Sequence, residues 1–335
     1  MAYKELDAWL KERSGENEAV DAAAEVIGRL AGAATKVSRM LARGPLNAGA
    51  SDIPWRKLFE FFDEKARDIF CEALTGAPVS VVAREKGGTF DDVAGGPVAL
   101  AMDSLNGSTN IDANTPVGTF FSFMPGQGEE AFLQPGSAQV AGGYFIYGPR
   151  TAAAFTFGDG THIITMDPES GVFYLTAEHK RLPEAYEREY AVNASNYRYW
   201  DPAIRSFIDD MIDGAEGPRE EDYSMRWAAS LAAETSRVLN RGGIFLYPSD
   251  SRPGHLEGRL KRIFHANPVA FVIEQAGGAA TDGRERLLAQ AAERMEQRAP
   301  LIFGSPREVE RVARYYDLPT GGMRSPLFSR RGLFR

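Results

Sequence analysis

Apolar residues recur at helical spacing near the start of the chain, over residues 18–43. They fall three or four positions apart, which predicts one long helix with a single buried face, and Gly44 and Pro45 end it. The apolar positions are Val20, Ala24, Ile27, Leu30, Ala34, Val37 and Leu41. A second helix is predicted from about Trp55 to Leu74, after a loop at 47–54, and the breaker residues at 76–78 end it.

Short apolar runs separated by turn residues follow the second helix and predict a sheet. The run at 98–102 is too short for a helix and is typical of a buried strand. Further strands are predicted at 79–82, 118–124, 143–147, 152–157, 162–166 and 172–175. Because the turns between these runs are short, we expect a mixed or antiparallel sheet.

The pattern changes after about Tyr190, where helices and strands begin to alternate. Helices are predicted at 202–211, 222–239 and 268–276, and strands at 244–247 and 301–303. Ser305, Pro306 and Glu308 predict the start of a final helix, because they supply a cap, a first-turn proline and an acidic third position. The sequence therefore predicts an α/β (α+β) fold in two halves, residues 1–190 and 191–335.

Composition excludes several kinds of partner. The 335 residues include 38 Lys and Arg against 46 Asp and Glu, a net charge of -8. A mildly acidic chain has no bulk attraction to nucleic acid or to an anionic membrane, so neither is expected as a partner. The charged first thirty residues contain no signal-peptide core, and no apolar stretch reaches the roughly 20 residues that span a bilayer, so we expect a cytoplasmic protein. The lone Cys71 is expected to be a buried, inert thiol.

The segment from Asp103 to Asp112 carries the most chemistry. It directly follows the apolar strand at 98–102, and ligands of open α/β sheets bind beyond the carboxyl ends of strands. Asp103 could ligate a hard cation such as Mg²⁺ there, and Gly107, Ser108 and Thr109 offer backbone N–H groups and hydroxyls for a phosphate. The alternative interpretation is an Asx-turn with polar loop residues.

This segment resembles the metal and phosphate signature of the class I fructose-1,6-bisphosphatases, D-P-L-D-G-S-S-N-I-D. A looser form of the signature occurs throughout the lithium-sensitive phosphatase superfamily. The rest of the chain favours the narrower family, because segments similar to its bacterial members follow in the same order. They are NASN at 193–196, MRW at 225–227, RGGIFLYP at 241–248, NPVAF at 267–271, EQAGG at 274–278 and QRAP at 297–300.

The resemblance implies an αβαβα layered sandwich with two mixed sheets, assembled as a homotetramer. It also implies the Mg²⁺-dependent hydrolysis of fructose 1,6-bisphosphate to fructose 6-phosphate and phosphate, with a sugar bisphosphate as the binding partner. Matching positions give Asp63 and Glu85 as catalytic residues. They give Glu85, Asp103, Leu105, Asn106 and His265 as metal ligands. The implied substrate contacts are Gly107, Ser108, Thr109, Asn193, Tyr247, Arg259 and, from a neighbouring subunit, Arg226.

The metal site departs from the family pattern. Of five acidic ligands that the family uses, this chain keeps Glu85 and Asp103, while Arg84, Asn106 and His265 stand at the other three positions. The total charge at these positions falls from -5 to -1, and Mg²⁺ prefers charged oxygen ligands, so we expect at least one metal site to be empty, with Mn²⁺ as a possible substitute ion. Arg84 is expected to face the cleft and to hold phosphate oxygens instead.

Two functions from different classes follow. The first is a fructose-1,6-bisphosphatase, a phosphoric monoester hydrolase with turnover reduced by its missing ligands. The second is a catalytically impaired paralogue that binds sugar bisphosphate or regulates another protein. Phosphate release from fructose 1,6-bisphosphate with Mg²⁺ or Mn²⁺ discriminates between them.

Overall fold

The computed structural model describes residues 3–13, 15, 17–47, 53–54, 57–183 and 188–317. Trp55, the predicted start of the second helix, and the C-terminal residues 318–335 lie outside this part of the chain. Among the helices so described, none is long and apolar enough to cross a membrane.

Three helices come first and pack on one face of a sheet. They are α1 (Leu6–Glu12), α2 (Glu18–Arg43) and α3 (Leu58–Leu74). The Asn17 side chain caps α2 by accepting a hydrogen bond from the backbone N–H of Ala19. The predicted apolar stripe of α2 is its buried face, which confirms the prediction from spacing.

Within the described residues, nine strands form a larger sheet. They are β1 (Lys4–Glu5), β2 (Val82–Arg84), β3 (Gly88–Phe90), β4 (Val98–Asn106), β5 (Val117–Pro125), β6 (Ala141–Tyr147), β7 (Thr151–Thr156), β8 (Thr161–Met166) and β9 (Phe173–Lys180). Their spatial order is β1-β9-β8-β7-β6-β5-β4-β2-β3. The sheet is mixed, as expected, because β2 runs parallel to β4 while the other neighbours are antiparallel.

A second, five-stranded sheet is built from the described residues of the later half of the chain. Its strands are β10 (Glu189–Val192), β11 (Ser224–Met225), β12 (Ile244–Tyr247), β14 (Ala279–Thr281) and β16 (Leu301–Gly304), in the order β11-β10-β12-β16-β14. A separate pair joins β13 (Leu260–Lys261) to β15 (Arg298–Ala299). The accompanying helices are α4 (Pro202–Asp213), α5 (Leu231–Arg241), α6 (Asn267–Gln275) and α7 (Pro306–Asp317).

The hydrophobic clusters show how these elements stack. One cluster joins α1, α2 and α3 to the larger sheet, and another places α5 and α6 between the two sheets. A third joins the far face of the second sheet to α4 and α7. This succession is the predicted αβαβα sandwich, in which α5 and α6 contribute to the cores of both sheets.

Several predicted boundaries are wrong, most clearly the helix at 222–239. The helix α5 begins at Leu231, where the Ser230 side chain accepts a hydrogen bond from the N–H of Ala233. The preceding β11 instead pairs with β10, so its backbone is extended. The predicted strand at 79–82 lies at Val82–Arg84, where the chain pairs in parallel register with β4. The short α1 and β1 were not predicted.

The cap at Ser230 gives a test of where α5 begins. Replacing Ser230 with Ala leaves first-turn N–H groups without an acceptor, so we expect a loss of about 1 kcal/mol in unfolding free energy. The change should appear as a lower urea midpoint, while Ser230→Thr, which keeps the hydroxyl acceptor, should restore most of it. Equal midpoints for the Ala and Thr variants would contradict the cap.

Candidate functional site

The parallel pairing of β2 with β4 brings two acidic residues together. Arg84 lies opposite Met102 in this pair, and the next residue, Glu85, donates its backbone N–H to the Met102 carbonyl at 2.9 Å. Asp103 follows Met102 directly, so the two carboxylates begin from adjacent backbone positions. A register shift in β4 between Asp103 and Asn106 then breaks the alternation of side chains between the two faces of the sheet. The side chains of Asp103 and Asn106 can therefore meet.

Asp103 lies at the centre of a hydrogen-bonded cluster. Its Oδ2 atom is 2.8 Å from Nε2 of His265 and 3.0 Å from Nδ2 of Asn106. Burial opposes ionisation of this carboxyl, but the hydrogen bonds from His265 and Asn106, together with the charge of Lys86, outweigh burial and lower the pKa of Asp103. The predicted convergence of Asp103, Asn106 and His265 is present.

The hydrogen bonds of His265 define which of its nitrogens carries a proton. Its Nδ1 atom accepts the backbone N–H of Lys261 at 3.2 Å, so Nε2 carries the proton and donates to Asp103. The ring belongs to a π-helical turn, Arg262–Ala266, which directly precedes α6. Both nitrogens are engaged, so His265 has no free lone pair for a metal ion.

Two lysines bond to the other carboxylates of the cluster. Lys261 Nζ lies 3.0 Å from Glu85 Oε1 and 2.6 Å from Glu296 Oε2, and Lys86 Nζ lies 2.7 Å from Asp63 Oδ2. Burial alone would lower the pKa of each ammonium, but the bonded carboxylates outweigh burial and raise it, so both lysines stay charged at neutral pH.

Arg84 lies outside this cluster, contrary to the expectation that it faces the cleft. Its guanidinium donates to the carbonyls of Gly87, Gly88 and Thr89 and contacts Sγ of Cys71 on α3 at 3.4 Å. The tight hairpin between β2 and β3 turns these carbonyls toward the arginine. Its donors are therefore directed at the hairpin and at α3. Cys71 itself is half-buried and not fully buried as expected.

The proposed phosphate loop follows the end of β4. Gly107 has φ of 75°, a left-handed conformation that glycine adopts without strain, and it begins a short turn in which Ser108 is buried and Thr109 exposed. The Asn110 side chain ties the turn to the carbonyl of Ala229, just before α5, at 2.9 Å. Within this turn, the surface is reached at Thr109.

A second set of predicted residues meets at the carboxyl ends of β10 and β12. These strands are parallel, with Val192 opposite Leu246, so the following residues, Asn193 and Tyr247, are neighbours. The guanidinium of Arg259 lies over the Tyr247 ring at 5.7 Å from its centre. Arg259 and Tyr247 are thus in contact, and Asn193 directly follows the strand beside Tyr247.

Arg226 lies apart from that set. Its Nε atom is 3.3 Å from Oε1 of Glu189, a carboxylate that also bonds to Arg237 and Arg241. Burial would raise the pKa of Glu189, but these arginines outweigh burial and lower it. The Arg226 side chain is mostly exposed, so it is available to a neighbouring molecule.

The short segment 259–265 connects the two clusters. Its central basic residue, Lys261, was not predicted from the sequence. Arg259 contacts Tyr247, Lys261 contacts Glu85, and His265 contacts Asp103. The alternation of basic residues at 259 and 261 in an extended segment was a usable signal, because such residues share one face. Lys86 was also missed, although it directly follows a predicted ligand.

The side chains that could ligate metal ions do not fit a two-metal site. Lys86, Lys261 and His265 each bond to one of the carboxylates Asp63, Glu85 and Asp103. Glu85 Oε2 is a buried oxygen without a described partner, which is far short of the roughly six oxygens that Mg²⁺ prefers. Among the described residues, no group of three or more His, Cys, Asp or Glu is arranged to hold a metal ion.

Comparisons with known proteins agree on one family. The family model described as "Fructose-1-6-bisphosphatase, N-terminal domain" matches residues 60–178, and that for the C-terminal domain matches residues 182–317. A "Fructose-1,6-bisphosphatase class 1" of Rhizobium meliloti is 44% identical over 352 residues, with 100% of both chains covered. One of Paracoccus denitrificans is 48% identical over 278 residues, covering 82% of this chain and 83% of that protein.

Solved structures with a similar fold belong to the same family. The crystal structure of Leishmania major fructose-1,6-bisphosphatase in holo form matches with a TM-score of 0.82 and 27% sequence identity. The match covers 95% of this chain and 100% of that one. The layered sandwich expected from the resemblance is thus confirmed by an independent comparison.

The loop between Tyr247 and Arg259 gives a prediction of pH dependence. Hydrogen bonding from the Arg252 side chain, which outweighs burial, lowers the pKa of Asp250 from 3.8 to about 2. A lowered pKa stabilises the fold above the unfolded value, and that contribution is lost as the pH falls from about 4 through about 2. We therefore expect Asp250→Asn to destabilise the protein at pH 7.

The unfolding midpoints of the Asp250→Asn variant and the unmodified protein should converge as the pH approaches 2. Asp68→Asn is a matched control, because Asp68 is an exposed carboxylate on α3, outside this loop. A midpoint difference for Asp250→Asn that stays constant between pH 7 and pH 2 would contradict the assignment to the Arg252 bond.

Proposed function

The chain belongs to the class 1 fructose-1,6-bisphosphatase family, and from that membership we propose a substrate site made of its two residue clusters. The protein is a phosphoric monoester hydrolase of carbohydrate metabolism, which converts fructose 1,6-bisphosphate and water to fructose 6-phosphate and phosphate. The family membership supports this enzymatic interpretation rather than the impaired paralogue.

The observation that carries the proposal is the segment 259–265, which contacts both clusters. Gly107, Ser108 and Thr109 would hold the phosphate that is cleaved, beside Asp103 and its partners. Asn193, Tyr247 and Arg259 would hold the other phosphate and the sugar. A molecule with an anionic group at each end suits this arrangement, because each cluster offers N–H or guanidinium donors to an anion.

Family members generally use divalent metal ions. Magnesium, with manganese as the alternative, is the ion that the sequence predicts at Glu85, Asp103, Leu105, Asn106 and His265. The bonded lysines and the protonated Nε2 atom of His265 do not favour such a set of ligands. Asp63 and Glu85 are proposed to act at the water and at the phosphate being cleaved.

The other finer proposals concern organisation. We propose a cytoplasmic enzyme whose chain divides near Tyr190 into an N-terminal half with the phosphate loop and a C-terminal half with the sugar site. The two sheets support this division, because β9 ends at Lys180 and β10 begins at Glu189. The overall net charge of -8 supports a small anionic substrate bound by local donors rather than a polyanionic partner.

The substrate role of Arg259 is open to a kinetic test. Its replacement by Met keeps the length of the side chain but removes the charge, so KM for fructose 1,6-bisphosphate should rise about tenfold, with a smaller change in kcat. The assay is phosphate release with Mg²⁺ or Mn²⁺, and Arg314→Met on α7 is the control because it should leave KM unchanged. Absence of phosphate release from the unmodified protein with either ion would reject the function itself.

Assembly is tested separately. We propose that Arg226 reaches the sugar-phosphate cluster of a neighbouring subunit, which requires an oligomer, and the resemblance implies a homotetramer. Sedimentation at micromolar concentration should therefore give the mass of four chains, and Arg226→Met should raise KM without dissociating them. A stable monomer that still hydrolyses the substrate at an unchanged KM would contradict this proposal.

A further inference from the structure

We infer that protein cations replace divalent metal ions in this site and that sugar bisphosphate binds here without added metal. The inference rests on the proposed function, because it concerns the same phosphate site. It is carried by the ion pairs of Asp63 with Lys86 and of Glu85 with Lys261, and by the Nε2–H of His265 that already donates to Asp103.

The charges explain why a metal ion is disfavoured. A divalent ion at these carboxylates would lie close to two ammonium groups that already bond to them at 2.7 and 3.0 Å. The two ammonium groups would repel such an ion, and the half-buried setting screens that repulsion less than bulk water does. The ion would have to displace Lys86 or Lys261, and Mg²⁺ gives up its own water reluctantly.

The same lysines have the chemistry to hold a phosphate. An ammonium group has three donors. The Lys86 side chain is 60% exposed and has a flexible stem, whereas that of Lys261 is 17% exposed and fixed between Glu85 and Glu296. A phosphate beside Asp103 would therefore meet one adjustable and one fixed positive charge. Lys86 can transfer a donor from Asp63 to the phosphate without leaving the cluster.

Glu85 Oε2 fits the same interpretation. This oxygen is buried, and none of the described residues donates a hydrogen bond to it. The other oxygen of the carboxylate is held by Lys261. Glu85 therefore does not present an open pair of oxygens to a divalent ion.

Calorimetric titration of fructose 1,6-bisphosphate into the full-length protein tests the inference. With chelator present, we expect binding whose Kd changes less than about twofold when millimolar Mg²⁺ replaces the chelator. Lys86→Met and Lys261→Met should each weaken binding in chelator by about tenfold or more, the effect of one charge-assisted hydrogen bond. Lys65→Met is the matched control, because Lys65 is an exposed lysine on the same helix as Asp63.

Direct metal binding supplies a second measurement that does not depend on the substrate. Mn²⁺ titration followed by electron paramagnetic resonance should show no tight site in the unmodified protein. A site should appear in the double variant Lys86→Met/Lys261→Met, where Asp63 and Glu85 are released. Retained circular dichroism and an unfolding midpoint close to that of Lys65→Met would show that the double variant folds.

The outcomes separate the two proposals. Binding of fructose 1,6-bisphosphate only when Mg²⁺ is present, or tight Mn²⁺ sites in the unmodified protein, would overturn the inference and leave the proposed function intact. Failure to bind fructose 1,6-bisphosphate with or without metal would reject the proposed function, and the inference with it. Binding in chelator that both lysine variants leave unchanged would reject the role of the lysines.

Discussion

The bond between Asp103 and His265 holds the site together. Asp103 belongs to a strand of the larger sheet, whereas His265 belongs to the turn that begins α6 in the middle layer. Their 2.8 Å contact fixes the segment 259–265 against the ends of β2 and β4. Through that segment, the positions of Lys261 and Arg259 depend on the same contact.

The carboxylates around this bond are each compensated by a nitrogen donor of the protein. Each buried or half-buried carboxylate has a nitrogen donor within hydrogen-bond distance, so little uncompensated charge is left in the cluster. An isolated buried carboxylate would be costly, and a family that uses metal ions compensates the same positions from outside the chain. Here the groups that compensate the carboxylates are side chains of the protein itself. They are therefore present whether or not the solution contains metal ions.

The sequence predicted the elements that are defined by burial on a single face. The stripe of α2 and the run at β4 were recognised because their apolar positions repeat with the period of a helix or fill a whole strand. The start of α5 was missed because β11 owes its extended backbone to pairing with β10, a contact distant in sequence. No local pattern contains that information.

Only part of the site was predictable from the sequence. Asp103, Asn106 and His265 were expected to meet because they occupy matching family positions, and they do. The orientation of Arg84 was not predictable, since it depends on three carbonyls presented by the turn between β2 and β3. The lysines were not predicted, because a single basic residue in a sequence is typical of a solvated surface.

The segment 259–265 has a further consequence for how the protein recognises its substrate. One continuous stretch of backbone carries Arg259, next to the sugar site, and Lys261 and His265, next to the phosphate site, and it is held at Tyr247, Glu85 and Asp103. The distance between these basic side chains is therefore limited by the length of the main chain that joins them. The site is consequently expected to select a ligand by its length as well as by its charge.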